Sequence, residues 1–290
     1  MGYFALAVAL LAGNGKGYLG KRLSARVTGQ RQSAMVNFVR MLLCIIISGG
    51  IMLLGADGVG LPDGPAVIYG LMAGVTLSVF TVTWMLAVQK GAYMLVSVAQ
   101  MFGMVITLAC SFAVFREPIL PRQLIAVGIL TAAVVIMGSY SAKLKGSLSV
   151  TAVVLLGLCG VSSGLYDFSL KLFTHYSSSG ISTLNLFTYL VSAVALYITA
   201  KWPGGGEDAE KLPLKKLLLP IGAMSVFLFL NSYFKALATR YLPSAQVYPI
   251  YQAGAMILGT AMSAVCFKER VTLRCAVGLA LAFIAIVLLK

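Results

Sequence analysis

Ten apolar runs of roughly 20 residues, separated by short polar joints, decide what this chain can fold into. They fall at about 2–20, 34–54, 65–88, 92–114, 120–141, 150–173, 180–200, 216–237, 243–266 and 272–290. A helix that crosses about 30 Å of hydrocarbon needs a run of this length. Continuous apolar runs are not the alternation of a membrane barrel, and open sheet edges do not survive in lipid. The composition agrees: 60% of the 290 residues are hydrophobic and 10% are charged, more apolar surface than a water-soluble fold can hide. The expected fold is therefore an all-α integral membrane protein with ten transmembrane helices. No basic segment precedes the first run, so it reads as a membrane helix rather than a cleaved signal.

The runs are also written twice. Residues Gln100 to Arg122 return as Gln252 to Arg274, pairing Gln100 with Gln252, Met104 with Met256, Ser111 with Ser263, Phe115 with Phe267, Glu117 with Glu269 and Arg122 with Arg274. At a nearby offset Tyr18 meets Tyr166 and Asn37 meets Asn185. Such duplication implies two five-helix units, 1–145 and 146–290. Five crossings is an odd number, so the second unit enters the membrane from the opposite side and the two form inverted repeats.

The residues of these two turns, Phe115-Arg116-Glu117 and Phe267-Lys268-Glu269, each followed by a small-residue helix, resemble the ten-helix EamA-type transporters of the drug/metabolite transporter superfamily. The resemblance covers essentially the whole chain. It implies a substrate cavity between the halves, lined mainly by helices 1, 3, 4, 6, 8 and 9, that works by alternating access. It also implies both termini in the cytosol. The first joint, with Lys21, Arg22, Arg26 and Arg31, is more basic than is usual in the family. Lys and Arg number fourteen in the odd joints and five in the even ones, which by the positive-inside rule puts the termini outside. The two arguments disagree, and the sequence leaves the orientation open.

The net charge of +14 is spread over the joints rather than gathered on one face, a juxtamembrane pattern and not a nucleic-acid footprint. Cys44, Cys110, Cys159, Cys266 and Cys275 have no metal-ligand spacing and read as small residues in or beside spans. With one histidine and eight acids there is no nucleophile set, no phosphate loop and no cofactor motif, so the chain does not read as an enzyme. Glu117 and Glu269 read as turn residues at the starts of helices 5 and 10, where the helix dipole favours a carboxylate and Arg122 and Arg274 offer partners.

Ionisable groups inside a span are costly and point to function. Lys16, in Gly13-Asn14-Gly15-Lys16-Gly17, is either a cavity cation for a carboxylate or phosphate, or a lysine that snorkels to the interface. Asp167 is either a proton carrier or amine ligand, or an i,i+4 partner of Lys171 near the membrane edge. Helices 1 and 6 run oppositely, so Lys16 and Asp167 should not touch, and Lys235 is the better partner for Asp167. Arg40 enters on the same face as Lys16, which would make that vestibule cationic and, in a lipid-handling protein, let the two hold a phosphate. Its helix is peripheral in the family, which favours a structural or snorkelling role, and His175 reads as a solvated loop residue.

Amides and aromatics in lipid also need partners, which a cavity holding water and a polar solute supplies. The candidate lining is Asn14, Lys16, Trp84, Tyr93, Gln100, Tyr166, Asp167, Asn231, Lys235, Tyr248, Tyr251 and Gln252, with interfacial placement the alternative for part of the tyrosines. The expected function is secondary transport of a small polar organic solute, with an amino-acid-like metabolite as one class and a proton as the candidate coupling ion. A lipid-handling protein and a non-transporting scaffold are the alternatives. The expected location is the plasma or inner membrane, in contact with membrane lipid, and glycine-rich helices leave monomer and homodimer both open.

Overall fold

The computed structural model describes residues 1–54, 62–89, 93–117, 120–144, 150–202, 214–267 and 273–288. These form ten helices: α1 Gly2–Ser24, α2 Gly29–Leu53, α3 Gly64–Gln89, α4 Tyr93–Phe115, α5 Pro121–Leu144, α6 Val150–Tyr176, α7 Ile181–Lys201, α8 Leu214–Tyr241, α9 Ser244–Phe267 and α10 Leu273–Leu288. Among the described residues α2, α3, α6, α7, α8 and α9 are each long and apolar enough to cross a membrane. The protein is thus an all-helical, multi-pass membrane protein. The expected joint between the two units at 145, and most of the long linker before α8, lie outside the described residues.

Local chemistry sets several helix starts. Asp63 caps α3, its Oδ1 accepting the Ala66 N–H at 2.9 Å. Pro121 opens α5, where its missing N–H costs nothing. The Gln32 side chain reaches back to the Thr28 N–H at 2.9 Å, fixing the tight joint before α2, in which Gly29 takes φ +71°. α1 runs on to Ser24 and α2 begins at Gly29, so this basic joint is shorter than the run boundaries predict.

The two halves are interleaved. The principal packing pairs, α3 with α6, α1 with α8, α2 with α7 and α4 with α6, each join a helix of the first half to one of the second. Large apolar side chains such as Leu11, Ile46, Phe102, Val194, Leu219 and Phe283 face outward, toward lipid. Buried apolar residues form three clusters, anchored by Tyr189, by Leu130 and by Met85.

Lipid supplies no hydrophobic drive between helices, so their association rests on close packing. Glycines provide it at the α4–α6 seam. A β-carbon at Gly103 would sit 2.6 Å from the Gly160 carbonyl oxygen, and one at Gly164 would collide with the Gly103 carbonyl. Thr107 Oγ1 then donates across the seam to Gly164 O at 2.9 Å. The α3–α7 contact repeats the device, with Ser192 Oγ donating to Gly74 O at 2.7 Å. Gly164→Leu should therefore lower the detergent melting temperature, with an overpacking cost of about 1–3 kcal/mol. Gly157→Leu on the same helix, where nothing lies within 4 Å, should leave the temperature unchanged in the same fluorescence melt.

Candidate functional site

The helix ends fall into two groups. At the first end the starts of α1, α3 and α9 meet the ends of α4, α6 and α8. Tyr3 donates to Gln246 Oε1 at 3.2 Å, and Glu117 accepts the Ser244 N–H at 3.0 Å. Asp63 receives Ser177 Oγ at 2.7 Å, the Ser178 N–H at 2.9 Å and Ser179 Oγ at 3.0 Å. At the second end Gln89 Nε2 donates to Ser33 Oγ at 2.9 Å, joining the end of α3 to the start of α2.

Between the ends lies a cavity of about 170 Å³, lined from α1, α2, α3, α4, α6, α8 and α9. That is below the roughly 300–1,000 Å³ of drug-sized pockets. Asn14, Lys16, Trp84, Gln100, Tyr166, Asp167, Asn231, Lys235, Tyr248, Tyr251 and Gln252 all line it. The side chain of Tyr93 and the whole of Glu269 lie outside the described residues.

The centre of the site is an ion pair. Lys235 Nζ donates to both carboxylate oxygens of Asp167, at 3.0 and 3.2 Å, and stands 4.0 Å from the centroid of the Tyr251 ring. The i,i+4 reading of Asp167 is overturned: Lys171 instead pairs with Glu117 at 2.7 Å. Both lysines reach off their own helices, Lys235 to Asp167 on α6 and Lys171 to Glu117 in the joint after α4. Glu117 likewise does not need Arg122. Its carboxylate bridges Lys171 and the first N–H of α9 rather than of α5, so the helix-dipole argument holds for a different helix.

Hydrogen bonds hold the aromatic and amide lining. Tyr248 Oη donates to Asp167 O at 2.7 Å. Asn231 Nδ2 donates to Ala9 O and to Tyr251 Oη, both at 2.7 Å. Tyr166 Oη and Ser232 Oγ are 2.8 Å apart, and Ser232 donates to Asn185 Oδ1 at 2.6 Å. Lys16 stays in the bundle, lining the cavity 5.9 Å from the Phe80 ring centroid. It forms no ion pair with Asp167 among the described residues. His175 is exposed and stacks edge-on against Phe115 at 4.7 Å.

Asn37, absent from the expected lining, lines the cavity, and so does Arg40, for which the sequence favoured a structural or snorkelling role over a vestibule cation. Arg40 does not snorkel: it is 3% exposed. The signal was present, because residues three apart on a helix share a face and Asn37 already stood out in the repeat.

Two predictions follow from this geometry. Removing one member of the buried ion pair, as in Asp167→Ala, should cost about 3–5 kcal/mol, whereas replacing both, Asp167→Asn with Lys235→Met, should cost clearly less; detergent melts of the three proteins check the order. Asp63 lies outside the spans. Partial burial pushes its carboxyl up, but the bonds from Ser177, Ser178, Ala66 and Ser179 outweigh that and hold it well below the usual carboxylate range. A depressed value means the tie is complete above about pH 4 and is lost only as pH falls through the lowered value. Hydrogen exchange at the Ser178 amide should therefore stay slow from neutral pH down to about pH 4 and become fast in Asp63→Asn throughout that range.

The family model described as the EamA-like transporter family matches residues 3–139 and again 150–290. A search of curated proteins found no match. Among solved structures, one described only as the crystal structure of a protein is 16% identical, with 97% of each chain covered and a TM-score of 0.66. At that identity the likeness shows the fold alone.

Proposed function

For a chain that belongs to the EamA-like transporter family, we propose a secondary active transporter of the cell membrane. It moves a small polar organic metabolite by alternating access between two inverted five-helix halves. The observation that carries this reading is the polar cavity itself: a lipid-facing bundle has no packing reason to gather Asn14, Gln100, Asn231, Gln252 and an ion pair around an open volume. The lining comes from both halves, which supports a solute bound between them.

The ties at the first end support a mechanism. Asp63 with Ser177–Ser179, and Glu117 with Lys171 and Ser244, bind helices of the first half to helices of the second. Opening that end requires these bonds to exchange for water, and closing the second end completes the cycle. Asp167 is the candidate proton carrier. Protonation removes its charge and frees Lys235, so proton uptake changes the electrostatics of the cavity lining.

The test is flux through liposomes that contain only this protein, loaded with a mixed pool of labelled amino acids, organic anions, amines and sugars. Wild type should exchange at least one class, with a rate that depends on pH. Asp167→Asn should retain solute exchange between equal pools but lose acceleration by an imposed proton gradient. Equal acceleration in both proteins removes Asp167 as the carrier, and no flux of any class removes the transporter reading.

A further inference from the structure

Among the described residues four charged side chains line the cavity: Lys16, Arg40, Asp167 and Lys235. The last two neutralise each other. That leaves two cations, Lys16 on α1 and Arg40 on α2, two helices that both pack against α8, and among the described residues neither has a carboxylate within ion-pair distance. The Arg40 Nε and Nη2 atoms are buried and make no hydrogen bond. An arginine presents five donors in a planar fork, and leaving several unused in a lipid-embedded core is expensive unless something that comes and goes receives them.

The positions of the two cations agree with a shared ligand. Lys16 is eight residues before the end of α1 and Arg40 eleven after the start of α2. At 1.5 Å per residue both lie about 12–17 Å in from the second end. Lys235 and Asp167 stand about 9–14 Å in from the opposite end, so the cavity is polarised, with a neutral ion pair toward the first end and bare positive charge toward the second. Gly13 and Gly17 also line the cavity beside Lys16, and the space a β-carbon would fill at Gly13 is taken by the Tyr251 hydroxyl and the Asn231 amide. Asn37, one turn from Arg40 and on the same face, adds an acceptor, its Oδ1 also buried and without a partner.

Resting on the transporter reading, we infer that the solute is an organic anion whose carboxylate or phosphate group is received jointly by Lys16 and Arg40, with the Arg40 fork supplying paired hydrogen bonds. Asn37 Oδ1 accepts a hydroxyl or N–H beside that group. The charge excess of the cavity makes an anion the fitting cargo, and an amine without an acidic group an unfit one.

The experiment uses the detergent-purified full chain and measures melting temperature against acetate, succinate, inorganic phosphate and glycerol 3-phosphate, with glycerol and ethanolamine as neutral and cationic arms. At least one anion should raise the melting temperature with a saturable concentration dependence, less at high salt. Lys16→Gln and Arg40→Gln should each weaken that anion's apparent affinity about tenfold or more, and the double variant should abolish it. Succinate against glycerol 3-phosphate distinguishes a carboxylate from a phosphate. Arg40→Lys, which keeps the charge and loses the fork, should bind more weakly than wild type and serves where Arg40→Gln does not fold. Stabilisation by none of the anions, by glycerol or ethanolamine alone, or by an anion equally in wild type, Lys16→Gln and Arg40→Lys, overturns the inference. Flux in liposomes separates the two readings: anion binding lost in the variants without flux sinks transport and keeps the site, while flux of a neutral solute alone keeps transport and sinks the site.

Discussion

Lipid cannot hydrogen-bond, and the arrangement of this protein follows from that constraint. Each polar side chain in a span must find a partner inside the bundle or line a space that water and solute share. The hydroxyls solve the problem locally: Thr76, Ser78, Thr81 and Thr83 all donate to carbonyls one turn back on α3. The amides of Asn14 and Asn37 do the same, Nδ2 donating to Leu10 O at 2.9 Å and to Ser33 O at 2.8 Å. Other amides and charges reach across helices at the cavity, where Asn231 bridges α1 and α9 and Lys235 bridges α8 and α6.

Close packing makes the convergence possible. Because α4 and α6 touch backbone to backbone through Gly103, Gly160 and Gly164, Gln100 on one and Tyr166 and Asp167 on the other are drawn toward the same space. The seam runs between a first-half helix and a second-half helix, as do the α3–α7 and α1–α8 contacts. The halves are therefore units of sequence repetition but not separate folding bodies, and the cavity exists only where they meet.

The internal duplication is not carried through to the site. Gln100 and Gln252 both line the cavity, as their pairing in the repeat suggests. Their neighbours diverge: Tyr166 lines it, while Tyr18 lies against Arg22 at 4.9 Å. Asn37 lines it, while Asn185 accepts a bond from Ser232 away from it. The cavity thus has two different walls, cationic toward one end and ion-paired toward the other.

The sequence by itself determined the helices, the duplication and most of the polar lining. Apolar run length sets a membrane crossing, and an amide or charge within such a run has few places to go. It also favoured Lys235 over Lys16 as the partner of Asp167, because helix direction fixes which side of the membrane each side chain approaches from. Only the tertiary structure decided the rest. Glu117 serves α9 rather than α5 because the α4–α5 turn packs beside the start of α9, a proximity that no local pattern encodes. Arg40 faces the cavity rather than the interface where α2 packs against α8, with the Ser225 hydroxyl, which also donates to Ile221 O at 2.8 Å, lying 3.2 Å from the Arg40 carbonyl. Helix rotation is set by contacts between elements distant in sequence, so charge in a run is legible from the chain alone, and the direction it points is not.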